Sequence, residues 1–274
     1  MPRLLAVDLD GTLLDRAGRP HAVDVEALKR AVSAGVVVSI LTGRLHAGTK
    51  AAALEAGLVG PLGCADGSHL VLATGETLQH SALHRDSALR LRDGLDEHGV
   101  ATFVFSQDTI HHDGEGDDFV RYVSTWSPKL ERGHDVHAHD SWSHEHGVTA
   151  VVGVSDEARI ARIVTMIREE LPHSAQVLSF PLGATGSWAF LTRSSGVDKG
   201  TALDFIAQHS NVAREDTVVV GDWLNDLPMF RAAGRSYAMG QAPAHVKDAA
   251  TNVLDETAEQ GGGIARVVKN LFGL

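Results

Sequence analysis

Leu4-Leu5-Ala6-Val7-Asp8-Leu9-Asp10-Gly11-Thr12 runs four apolar residues straight into two carboxylates and a glycine. The unbroken apolar run reads as a strand buried on both faces, which is the mark of a parallel sheet. Asp8 and Asp10 stand two positions apart, so regular strand geometry would point them the same way, and a turn beginning at Asp10 redirects the second. Gly11 permits so tight a turn. Carboxylates held in this way can divide the labour of a reaction. One can serve as nucleophile and metal ligand while the other works as acid and base near a leaving group.

Two more strands end in the same manner. Residues 36–41 form a second apolar run that stops at Thr42-Gly43-Arg44, and Thr217-Val218-Val219-Val220 stops at Gly221-Asp222-Trp223-Leu224-Asn225-Asp226. Between the first two, Val25, Leu28 and Val32 recur at helical spacing, with Gly35 placed to close the helix. Residues 46–58 read as another helix and 62–72 as the source of a further short strand. The alternation predicts a doubly wound, Rossmann-like α/β sheet. Ligands bind such sheets beyond the carboxyl ends of the strands, so the three strands bring carboxylates and a hydroxyl to one rim. Helix capping accounts for Asp226, but not for an aspartate that follows a buried strand. An oxygen-only donor set suits Mg²⁺. Lys199, just before a helix expected over 200–209, is either a solvated surface lysine or a point charge for a phosphoryl group. The company of the carboxylates gives weight to the second.

The texture changes between His80 and Trp188. Helical stretches at 86–98 and 156–171 alternate with strand-like runs at 101–105 and 148–154, around a polar segment at 111–146. The expectation is a catalytic core over 1–80 and 189–274, interrupted by an α+β insert over 81–188. The α/β texture returns with the strand at 217–220, a short helix at 226–233, a strand at 236–239 and a C-terminal helix at 262–272. In the insert, His134, His137, His139, His144 and His146 crowd together. They admit a second metal site, a solvated loop, or a grip on a leaving group shared with Arg121, Tyr122 or Trp126. Their spacing fits no structural metal motif, which favours the solvated loop.

Composition narrows the function. The chain of 274 residues is 43% hydrophobic and 22% charged, an ordinary globular balance. The single cysteine, Cys64, excludes an intramolecular disulfide and suits a reducing compartment. The apolar run 4–14 is broken by Asp8, Asp10 and Gly11, so it is neither a signal-peptide core nor a membrane span, and a cytoplasmic protein is expected. A net charge of −11 argues against nucleic acid as partner. If a protein this acidic handles phosphate, a divalent cation is the economical way to reverse the local charge.

Taken in order, Asp8-x-Asp10-Gly11-Thr12, Thr42-Gly43-Arg44, Lys199-Gly200 and Gly221-Asp222-x-x-Asn225-Asp226 resemble the haloacid dehalogenase superfamily. Within it the chain is similar to Cof-like phosphatases with a large type-2 (C2B-like) cap. The resemblance implies an Mg²⁺-dependent phosphatase of small-molecule phosphate monoesters, sugar-phosphate-like, acting through an aspartyl-phosphate. It implies Asp8 as nucleophile and Asp10 as acid and then base. Thr42, Gly43, Arg44, Lys199 and Asn225 would meet the phosphoryl group. The metal would sit on Asp8, the Asp10 carbonyl and Asp222, with Asp226 in support. Two positions depart from the pattern: bulky Trp223 beside the metal loop, and Asp66 where an asparagine is usual. A phosphosugar mutase, a receiver-like module and a non-catalytic phosphate-binding protein share parts of the motif set.

Overall fold

The computed structural model describes residues 3–144, 146–183 and 186–273. The chain forms two compact units, one made of the chain up to Gln79 and from Val197 onward, the other of His80–Gly196.

The first unit is built on a five-stranded sheet in which every pairing is parallel. Its strands are β1 (Leu4–Val7), β2 (Val37–Ile40), β12 (Thr217–Gly221), β13 (Arg235–Ala238) and β14 (Asn252–Val253), in the order β14-β13-β12-β1-β2. Helices α1 (Ala22–Ser33), α2 (His46–Glu55), α6 (Lys199–His209), α7 (Leu227–Ala232), α8 (Ala244–Ala249) and α9 (Gly263–Phe272) complete it. Alternation along β1 explains why its sequence is apolar throughout. Leu5 and Val7 pack with residues of α1, α2 and α9, while Leu4 and Ala6 pack with residues of α6, α7 and α8. Fully burying one such side chain contributes about 1.5–3 kcal/mol. No face is left for water, and so no polar residue interrupts the strand until Asp8.

Register then sets where the polar residues fall. Val7 stands beside both Val220 and Ile40, so the strands bearing Asp8, Asp222 and Thr42 run out side by side. The expected strand within 62–72 is two strands, β3 (Pro61–Cys64) and β4 (His69–Leu72), joined in a sheet with β5 (Thr77–His80). A parallel bridge from Leu41 to Gly63 brings the end of β3 to the same rim.

The second unit carries α3 (Arg85–His98), α4 (Val120–Val123) and α5 (Glu157–Glu170). Its six-stranded sheet has the order β10-β11-β9-β6-β7-β8. The strands are β6 (Ala101–Ser106), β7 (Thr109–His112), β8 (Leu130–Arg132), β9 (Ala150–Ser155), β10 (Ala175–Pro181) and β11 (Trp188–Ser194). Leu91, Leu95, Ile160, Ile163 and Ile167 from α3 and α5 pack with Val104, Val151 and Phe190 from the sheet. The sequence expectation that the core resumes at residue 189 is corrected here. β11 is hydrogen-bonded antiparallel to β9 and β10 along its length, so its apolar run belongs to the insert.

The polar segment at 111–146 has internal order. The Asp113 carboxylate accepts from Glu115 N and Val136 N, and buried Trp142 donates its indole N–H to Val136 O at 2.8 Å. Among the described residues no helix is long and apolar enough to cross a membrane.

Candidate active site

At the end of β1 the backbone N–H of Asp8 still donates to Val220 O, so the sheet itself fixes the side chain's origin. Gly11 follows with φ +79°, and a Cβ there would overlap the Asp222 carboxylate. Glycine is therefore required twice, for the backbone conformation and for the close approach of two loops.

Lys199, at the start of α6, is the hub. Its Nζ donates to Asp8 Oδ1 and to Asp226 Oδ1, both at 2.6 Å, and only 1% of the residue is exposed. The N-cap Asp198 accepts from the N–H groups of Gly200 and Thr201, which anchors the helix start and with it the lysine. Burial works against the ammonium, but Asp226, Asp8 and Asp66 overcome it and hold Lys199 charged.

Asp226 is itself fully buried, and its second oxygen accepts from Asp222 N and Trp223 N at 2.8 and 2.9 Å. It thus ties the Gly221–Asp226 loop to the lysine. Asp222 shows the opposite character. One oxygen accepts from Gln241 Nε2 at 3.2 Å, while the other, Oδ1, is buried with no hydrogen-bond partner.

Asp8, Asp222 and Asp226 each offer an oxygen within 4.8 Å of the others. Burial pushes the Asp222 carboxyl up to about 7, with Asp226 adding to the rise and Gln241 and Lys199 opposing it. Asp8 is pushed up too, because burial outweighs the pull of the Lys199 ammonium, with Asp226 and Asp222 adding to the rise. Three crowded carboxylates around one ammonium leave negative charge uncompensated. With an orphaned buried oxygen among them, the donor set fits a hard divalent cation.

Asp10 turns away from that cluster. Its two oxygens accept from Arg44 Nε at 2.8 Å and from Arg44 Nη2, a two-pronged pair that leaves half the aspartate side chain exposed. Thr42 is buried, and its hydroxyl oxygen accepts from Arg44 N at 3.1 Å. Asn225 donates from Nδ2 to Asp66 Oδ1 at 2.8 Å. A Cβ on Gly43 would lie 3.6 Å from either Asp66 carboxylate oxygen. The residues singled out from the sequence thus gather in the first unit. Sequence reasoning gave no role to Gln241, which donates to both Gly11 O and Asp222, or to Thr12, whose hydroxyl is buried without a partner. Neither could be weighted from the sequence, since a glutamine far along the chain and a threonine in a turn are both commonplace.

A sequence model of the haloacid dehalogenase-like hydrolases matches residues 5–268. The chain belongs to that family. Similar proteins include pyridoxal phosphate phosphatase YbhA of Escherichia coli (strain K12), 27% identical, with 93% of each chain covered. Another is the phosphoglycolate phosphatase of Halobacterium salinarum, 28% identical, over 94% of this chain and 92% of that one. Among solved structures, a haloacid dehalogenase-like hydrolase from Bacteroides thetaiotaomicron superposes with a TM-score of 0.84 at 20% identity, covering 99% and 100% of the two chains. The chain is a phosphoric monoester hydrolase of the haloacid dehalogenase type.

Among the described residues, no three of the insert's His, Asp or Glu side chains stand close enough to share a metal ion, and Asp8, Asp222 and Asp226 are the one group so placed. His111 and His139 stack with ring centroids 4.0 Å apart, and His139 Nδ1 pairs with Ser141 Oγ. Trp126 packs within its own unit against Phe105 and Tyr122.

Proposed function

We propose that the chain hydrolyses small, sugar-phosphate-like phosphate monoesters with Mg²⁺ through an aspartyl-phosphate on Asp8. The observation that carries this reading is the buried Asp8–Lys199–Asp226 arrangement beside Asp222. Sequestering an ammonium among carboxylates is expensive, and a charge-rich pocket of this kind is a site where charge is transferred.

In the first step an Asp8 oxygen attacks phosphorus in line, the ester P–O bond breaks, and its electron pair leaves on the alkoxide. Asp10 gives that oxygen a proton. In the second step Asp10 takes a proton from water, and the resulting hydroxide attacks phosphorus. The bond between phosphorus and Asp8 breaks, which restores the carboxylate and frees inorganic phosphate. Lys199 offsets the repulsion between a carboxylate and a phosphate, while Thr42, Gly43 and Asn225 orient the phosphoryl oxygens. Arg44 holds both oxygens of Asp10, so proton transfer requires it to yield one of them to the ester oxygen. Mg²⁺ would rest on Asp8, Asp222 and the Asp10 carbonyl, with Asp226 in support, and would neutralise charge on the phosphoryl oxygens.

The second unit supplies recognition of the leaving group in this reading, as a cap. The relatives named above differ in substrate, pyridoxal phosphate in one and phosphoglycolate in the other. Cys64, the one cysteine and a buried thiol, supports a cytoplasmic enzyme. The test is phosphate release from a panel of phosphorylated metabolites, with Mg²⁺ and with a chelator. Free phosphate that needs Mg²⁺ is the expected outcome. Isomerised sugar phosphate without free phosphate would establish a mutase instead.

A further inference from the structure

Asp66 is a buried carboxylate to which the proposed steps give no task. It is only 2% exposed, and it lies in a loop after β3 where Ala65, Asp66 and Gly67 all have positive φ, 48°, 52° and 98°. Residues with a Cβ avoid that conformation unless their surroundings hold them in it. Here Ala65 N donates to Arg44 O and Asp66 N to Thr42 O, both at 2.8 Å, while Asn225 Nδ2 grips the carboxylate. A Cβ on Gly67 would come within 2.6 Å of Asp198 O, so the loop is pressed against the residue before Lys199. The neighbours of Asp66 thus include Thr42, Gly43 and Asn225, residues proposed to hold phosphate, and its loop abuts the residue before Lys199.

The backbone explains the position but not the charge. An asparagine tolerates the left-handed conformation as well as an aspartate does, and its amide oxygen accepts from Asn225 equally well. What the carboxylate adds is negative charge. Arg44 is committed to Asp10, so Asp8, Asp66, Asp222 and Asp226 face Lys199 as the one remaining cation among the described residues that build this pocket. A bound divalent cation still leaves that set with more negative than positive charge.

We propose that Asp66 sets how loosely the site holds phosphate, repelling the anion so that inorganic phosphate leaves quickly after each turnover. The proposal rests on the phosphoryl site argued above. Holding substrate and product too well in the ground state does not speed chemistry, and product release commonly limits such cycles.

The test uses the full chain with saturating Mg²⁺. In Asp66→Asn the inhibition constant for orthophosphate should fall about tenfold, the order expected when one unit charge is removed a few ångströms from a phosphate in a partly screened pocket. The KM for a small phosphate monoester should fall with it, while kcat does not rise. Asp66→Gly suits the same backbone and also removes the charge, so it should shift inhibition in the same direction. A residue that served only to prop Asn225 would act oppositely, and its loss would weaken phosphate binding. If wild-type enzyme is inhibited by orthophosphate but neither variant binds it more tightly, the role of Asp66 is wrong and the phosphoryl site stands. If orthophosphate inhibits neither the wild type nor either variant, the phosphoryl site is wrong and the role of Asp66 falls with it.

Discussion

The two units bury different things. In the first, Asp8, Asp66, Lys199 and Asp226 are all at least 95% buried, and Lys199 is drawn to the other three. In the second, the packed interior is Leu, Ile, Val, Phe and Trp, and buried polar side chains such as Thr102, Ser106 and Asp113 are spent on backbone groups. Sheet topology accounts for the difference. Parallel strands all finish at the same edge, so residues that follow β1, β2 and β12 meet without effort. Antiparallel neighbours such as β9 and β11 finish at opposite edges, which scatters whatever follows them. The carboxylates and the buried lysine therefore collect in one unit.

The sharpest way to break this contrast is to compare one aspartate of the core with the histidines of the insert. Asp8→Asn keeps the shape but removes the nucleophile, and hydrolysis should fall on the order of 10⁴-fold or more with the fold retained. A loss below tenfold in a phosphate-release assay would remove Asp8 from the mechanism. Next in size is Asp10→Asn. Loss of a general acid should slow alkyl and sugar phosphates by about 10²–10⁴-fold, and nitrophenyl phosphate by much less, because a good leaving group needs no proton. Equal losses on both would assign Asp10 to metal binding or structure.

Much of the core was legible because burial leaves clear marks in a sequence. The unbroken run Leu4–Val7 gave β1 to the residue, and the Gly35 signal closed α1 where the chain turns. Lys199 could not be judged alone, since a lysine before a helix is usually solvated, yet here it is the most buried cation of the site. Asp66 was visible only as a departure from a pattern. Its significance depends on a left-handed loop and on Asn225, which stands far along the chain. Strands β10 and β11 were missed because their burial is partial and irregular, leaving no clean alternation to read. The insert's histidines drew attention by number, but number carries no geometry.

A smaller effect concerns pH. In the metal-free protein burial lifts Asp222 from the ordinary 3.8 to about 7, and Asp8 moves the same way. A carboxyl raised by folding contributes stability below its unfolded pKa, and that contribution is lost as pH climbs through the folded value. The gain in melting temperature on adding Mg²⁺ should therefore grow from about pH 5 to about pH 8. Asp222→Asn should flatten that trend. A gain that shrinks as pH rises would contradict the assignment of Asp222. Smallest of all should be the insert's His111→Ala, which breaks the stack with His139. It should change the hydrolysis of nitrophenyl phosphate by less than about twofold, as for a substitution away from the reacting groups. A loss comparable to that of Asp10→Asn would place chemistry in both units.

The most direct measurement is to mix enzyme, Mg²⁺ and a phosphate ester, quench in acid within the first turnover, and identify the modified peptide by mass spectrometry. The expected result is one phosphoryl group on Asp8, present in wild type, chased away by further incubation and absent in Asp8→Asn. Full turnover with no phosphorylated peptide, or with the label on another residue, would contradict an aspartyl-phosphate at Asp8.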